Sequence, residues 1–159
     1  MNRPSWDEYF SSIALLTGER SNCIRRKVGC VIVKNNRILS LGYNGTPRGM
    51  KNCYEGGCQR CMEHLNNSVS SGKNLDLCIC IHAEENAMLF LSMNEMEGST
   101  LYVSLMPCLS CAKKIIQCQI KRVVFLENYS ENDILILEML QENGIEVVQE
   151  NGVDVIDCD

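Results

Sequence analysis

The chain has 159 residues, 45% of them hydrophobic, enough for one packed core and one domain over residues 1–159. A net charge of -5 with 6% aromatic residues argues against a nucleic-acid groove, which needs a basic surface lined by stacking rings. No apolar run reaches membrane-span length and the first residues lack a signal peptide's apolar core, so a cytoplasmic protein with no membrane or nucleic-acid partner is expected.

Pro4 followed by Ser5, Trp6, Asp7 and Glu8 opens a helix, since proline suits the first turn and acids favour the positive helix end. Phe10, Ile13, Ala14, Leu15 and Leu16 continue its apolar face until Gly18. The β-branched run 28–33, the turn Asn35-Asn36 and the run 37–43 form a hairpin. Residues 44–49, with two glycines and Pro47, form a shaped loop. Residues 53–80 are polar, cysteine-rich and without periodicity, an insert that its cysteines could pin. From His82 the pattern turns helical, with Ala83, Asn86, Ala87, Leu89, Phe90 and Met93 on one face. A strand over 100–105, a helix begun by Pro107, a strand over 122–126, a helix over 132–142 and a strand over 145–148 follow. Residues 150–159 form a tail. This alternation predicts an α/β fold, a three-layer α/β/α sandwich around a five-stranded mixed sheet.

Chemistry concentrates in His82-Ala83-Glu84 and, downstream, Pro107-Cys108-Leu109-Ser110-Cys111. One imidazole and two thiolates leave a fourth position open, the coordination of a catalytic zinc. Cys108 and Cys111, three residues apart at a helix start, face the same way and can reach one ion. The positive helix end favours their thiolate forms. Glu84 is not needed as a ligand and is free to move protons. A structural zinc would have no use for a carboxylate there.

Eleven cysteines in a chain without a secretion signal favour metal over disulfides, and Cys58-x-x-Cys61 repeats the knuckle spacing of Cys108 and Cys111. Cys23, Cys53, Cys58, Cys61, Cys78 and Cys80 exceed the four places of one closed site. Cys78 and Cys80, if extended, point to opposite sides, so that only one would ligate. Cys30 and Cys118 are expected in the core.

His-x-Glu followed by Pro-Cys-x-x-Cys is the signature of zinc-dependent nucleobase deaminases. Together with Arg20-Ser21-Asn22-Cys23, residues 28–33 and Gly42-Tyr43-Asn44-Gly45-Thr46-Pro47, it makes the chain resemble the deoxycytidylate (dCMP) deaminases of the cytidine deaminase superfamily. The resemblance implies a cytidine deaminase-like fold and hydrolysis of dCMP to dUMP and ammonia, feeding thymidylate synthesis. It implies zinc on His82, Cys108 and Cys111, with Glu84 as the proton shuttle. It gives the Ala83 amide and the Ser104 carbonyl to the base, Asn44 to the deoxyribose and Tyr129 to closing over the substrate. It implies a second, structural zinc on Cys23, Cys53, Cys58 and Cys78, whereas the CxxC spacing alone promotes Cys61, with Cys80 a further alternate. Family members imply a homohexamer, activated by dCTP with Mg2+ and inhibited by dTTP.

The substrate phosphate needs a cation. Arg26 is the candidate, from Arg20, Arg25, Arg26 and Lys27 before the first strand, with Arg48 as another. Such a run is equally a solvated rim. Other functions compatible with parts of the pattern are deamination of dCTP or of nucleic acid, and a non-catalytic zinc-binding module.

Overall fold

The computed structural model describes residues 3–70, 72–128 and 133–153. Tyr129, expected to close over the substrate, lies outside the described residues. The sheet has the strand order β2-β1-β3-β4-β5. Its strands are β1 (Gly29–Lys34), β2 (Arg37–Tyr43), β3 (Thr100–Leu105), β4 (Arg122–Glu127) and β5 (Glu146–Gln149). β1 pairs antiparallel with β2 and β3, while β3, β4 and β5 run parallel, so the sheet is five-stranded and mixed, as expected.

Alternate residues of each strand separate two cores. Cys30, Ile32, Leu101, Val103, Val123 and Phe125 face one side, with α3 (Ala83–Met88), α5 (Leu109–Gln117) and α6 (Asp133–Glu142) contributing Ala87, Ile115 and Leu140 to the same cluster. Val31, Val33, Tyr102 and Val124 face the other, where α1 (Trp6–Gly18) supplies Phe10 and Ala14. The period of two along the strands places helices on both faces. Ser5 caps α1, its hydroxyl accepting from the Glu8 amide at 3.1 Å. Asp7 locks α1 onto the sheet through a bidentate pair with Arg122, both bonds 2.7 Å, and accepts from the Tyr102 hydroxyl at 2.9 Å.

Two expectations change. The helix from His82 ends at Met88, and a separate turn, α4 (Met93–Met96), restarts at the Ser92 cap. Leu89 and Phe90, expected on the buried face, are 70% and 72% exposed. The insert is not without helix: α2 (Gln59–Leu65) runs between two short 3₁₀ turns, Cys53–Glu55 and Leu75–Leu77. Its seven residues bury Arg60 and Cys61 rather than an apolar stripe, so no hydrophobic period announced it. At the end of the sheet, the first residue of the expected tail still pairs, the Glu150 amide donating to the Phe125 carbonyl at 2.9 Å. Among the described residues, no helix is long and apolar enough to cross a membrane.

The seat of α3 is set by Gly42. A Cβ there would lie 2.2 Å from the Ala83 carbonyl oxygen and 2.4 Å from the Ala87 amide nitrogen. Only glycine lets β2 and the helix carrying Glu84 approach this closely. Gly42→Ala is therefore expected to destabilise the fold by about 3 kcal/mol, because both atoms it meets are backbone. Denaturant unfolding measures it; a loss under about 0.5 kcal/mol, the range of ordinary surface substitutions, would refute the tight seat.

Candidate active site

His82 and the two cysteines come from the starts of two helices on the same face of the sheet. Ile81, just before the histidine, pairs with Gly45 through two backbone hydrogen bonds of 2.8 and 3.1 Å. His82 is the cap residue of α3, and its amide donates to the Glu85 carboxylate at 3.2 Å. Cys108 caps α5 and Cys111 lies within its first turn. The same Glu85 carboxylate pairs with Lys114 of α5, tying the two helix starts together.

The three side chains converge. The Cys108 and Cys111 sulfurs each lie 3.4 Å from His82 Nδ1, and all three donor atoms are within 4.8 Å of one another. With zinc–sulfur and zinc–nitrogen bonds of about 2.3 and 2.0 Å, tetrahedral coordination sets sulfur and nitrogen about 3.5 Å apart. The donor set and its spacing therefore fit a zinc ion with one place open. The Cys108 thiol is held down to about 4, by its hydrogen bond with Cys111 first and by His82. The His82 imidazole is held up to about 9, chiefly by Cys108.

Glu84 is 4% exposed and outside the ligand set, and burial pushes its carboxyl up to about 7. A buried carboxyl two residues along the chain from a metal-ligand candidate, but outside the donor set, is chemically able to carry protons. Ala83, one residue before it, is fully buried.

The remaining expected residues lie around this end of the sheet. Ser104 is buried at the end of β3, its hydroxyl accepting from the Gly29 amide at 3.1 Å. The Asn44 side chain is already engaged, accepting from the Val28 amide at 2.8 Å and donating to the Arg26 carbonyl at 2.7 Å. It thereby fixes the loop that carries Arg26. Arg26 pairs with Glu127, at the end of β4, at 2.8 Å, with both side chains substantially exposed. Lys27 is drawn away to Glu19, and Arg48 lines a separate groove of about 340 Å³ with Asn22, Thr46, Asn52 and Phe90. Glu85 and Lys114 were missed by the sequence reading. Lys114 follows Cys111 by three residues on the same helix, the one signal that it belongs near the site.

The six other candidate cysteines form a core of their own, with Cys53, Cys58, Cys61 and Cys80 buried. Their sulfurs fall into two groups, Cys23, Cys53, Cys61 and Cys80, and Cys58, Cys61, Cys78 and Cys80. The geometry thus divides Cys23 and Cys53 from Cys58 and Cys78, and brings in both Cys61 and Cys80. Cys78 and Cys80 do not point apart: their sulfurs share one group of four, and although Cys78 is extended after the 3₁₀ turn, neither residue pairs in a strand. Cys30 is fully buried in the sheet core and Cys118 packs half-buried against it.

A model of the cytidine and deoxycytidylate deaminase zinc-binding region matches residues 4–127, and the chain belongs to that family. The deoxycytidylate deaminase of Schizosaccharomyces pombe is 48% identical over 145 residues, 91% of this chain, and the chain spans 44% of that relative's length. The deoxycytidylate deaminase of Mycobacterium phage D29 is 42% identical over 131 residues, covering 79% of this chain and 97% of the phage protein. The solved dCMP deaminase of cyanophage S-TIM5, in complex with dCMP and dUMP, superposes with a TM-score of 0.71 at 32% identity, covering 94% of this chain and all of that one.

Lys114→Ala should weaken zinc retention roughly tenfold, as loss of an outer-shell support does. The fold should keep its stability, since a partly exposed ion pair contributes little. Competition with a chromophoric chelator measures it; unchanged affinity would show that the Glu85–Lys114 tie does not set the ligands.

Proposed function

We propose that this chain is a zinc-dependent deaminase that hydrolyses dCMP to dUMP and ammonia. The observation that carries the reading is Glu84, a buried carboxyl left out of the ligand set beside three donors that fit zinc. His82, Cys108 and Cys111 would hold a zinc ion, which would supply an acidified water as the nucleophile. Glu84 accepts the water's first proton and delivers it to N3 of the base, then takes the remaining proton from the C4 hydroxyl and gives it to the departing amino group. The added oxygen then becomes the C4 carbonyl of dUMP and ammonia leaves, so protons balance. The Ala83 amide and the Ser104 carbonyl orient the base. Asn44 serves the deoxyribose through the remaining lone pair of its oxygen while anchoring Arg26. Arg26 exchanges its exposed partner Glu127 for the substrate phosphate, an exchange that costs little at the surface.

The names of the relatives and the nucleotides in the cyanophage complex support this substrate. Zinc in the cysteine-rich insert belongs to the same reading. So do cytoplasmic homohexamers, activation by dCTP with Mg2+ and inhibition by dTTP, with the groove beside Arg48 as support for a nucleotide-sized regulatory site.

Glu84→Gln should keep fold and metal while lowering turnover about a thousandfold, the contribution of a positioned proton carrier. Turnover within tenfold of the parent would remove Glu84 from the chemistry. Arg26→Ala should raise KM for dCMP roughly tenfold and leave deoxycytidine unaffected, because a charge-assisted bond to phosphate helps only substrates that carry one. Equal effects on both would make Arg26 a structural residue.

A further inference from the structure

The six cysteines around the insert can be partitioned in only one way that uses all of them. Each group of four has its sulfurs within 4.8 Å of one another, and both groups contain Cys61 and Cys80. Cys78 lies 3.8 Å from Cys58 and 3.8 Å from Cys61. Zinc–sulfur bonds of about 2.3 Å make the edge of a tetrahedron about 3.8 Å, so these separations are those of thiolates sharing an ion. They are far from the roughly 2.05 Å of a disulfide, and all six cysteines are free.

We propose that these residues hold a binuclear zinc–thiolate cluster, two tetrahedral ions bridged by the sulfurs of Cys61 and Cys80. Cys23 and Cys53 complete one ion, Cys58 and Cys78 the other. Two four-coordinate ions need eight ligand places, and four terminal plus two bridging sulfurs supply eight. A single ion would take one group of four and leave two thiols of the other group stranded beside its ligands. Two ions leave none over. Six thiols lose six protons to two dications, so the cluster carries two negative charges. Two guanidinium groups adjoin it in the chain. Arg25 follows Cys23 by two residues and has a buried Nη1 without a hydrogen-bond partner among the described residues, while buried Arg60, which precedes Cys61, donates from Nε and Nη2 to the Lys73 carbonyl at 3.2 and 2.9 Å. A buried guanidinium N–H without a partner is costly unless an acceptor or anion lies near, and the cluster would provide one for Arg25.

The cluster also ties the insert to the site. Cys80 lies two residues before His82, and Cys23 three before Arg26. The ions thus fix the segments that carry a catalytic ligand and the phosphate cation, and their binding energy is folding energy for a region with little apolar core.

Metal analysis of the freshly purified, unchelated chain should return three zinc ions, one from the His82 site and two from the cluster. Replacing zinc with an NMR-active cadmium isotope should give two tetrathiolate resonances split by coupling to each other, since bridging sulfur connects the nuclei. A single, uncoupled tetrathiolate resonance with two ions per chain would overturn the bridge in favour of one closed site. No tetrathiolate resonance would overturn the cluster altogether. The third resonance, from a site with one nitrogen ligand, reports separately. Its absence with the coupled pair intact would count against the catalytic reading alone.

Discussion

The close seat of α3 on β2 is the constraint from which the site follows. Gly42 lets the helix backbone approach the strand, and the Gly45–Ile81 pairing fixes the residue before His82. Together they set the histidine and Glu84 at one place above the sheet, with Glu84 driven into the core. α5 brings Cys108 and Cys111 to the same place because β3 and β4 are parallel neighbours, so the helix connecting them begins at the same sheet end. Glu85 then serves both helices, accepting from the His82 amide and pairing with Lys114.

The opposite economy governs residues 53–80. There is little apolar surface to bury there, and the cysteine side chains form the local core instead. Packing the five thiols of this segment, with Cys23, as small apolar groups would leave the region with weak packing. Metal–sulfur bonds replace that missing core in the proposed cluster, and they run to both loops that frame the site. Structure in the insert and order in the site are, on this account, one property.

Much of this was legible in the chain. The five strands and the His82–Glu84 and Cys108–Cys111 pairs are contiguous patterns, and the structure brings the latter to one point. Three features were not legible, for separate reasons. Leu89 and Phe90 continue a helical period, yet the chain turns out of the helix at Leu89 and exposes both. α2 buries a charged residue and a cysteine, so its helix lacks the apolar stripe by which sequence patterns are read. Strand alternation kept Cys78 and Cys80 apart, yet neither residue pairs in a strand, and the segment after the 3₁₀ turn brings both sulfurs into one group. Asn44 shows a subtler limit: its place near the site was readable, but its grip on Val28 and Arg26 depends on a loop that only folding brings round.

The central claim is that a buried carboxyl and a three-donor zinc site act on a small cytosine nucleotide. Ammonia release by the zinc-loaded chain, measured side by side on dCMP, dCTP, deoxycytidine and a cytosine oligonucleotide, tests it most directly. The account predicts release from dCMP at a kcat/KM well above the other three. Preference for the oligonucleotide, or no release from any of them by zinc-loaded, folded protein, would contradict it.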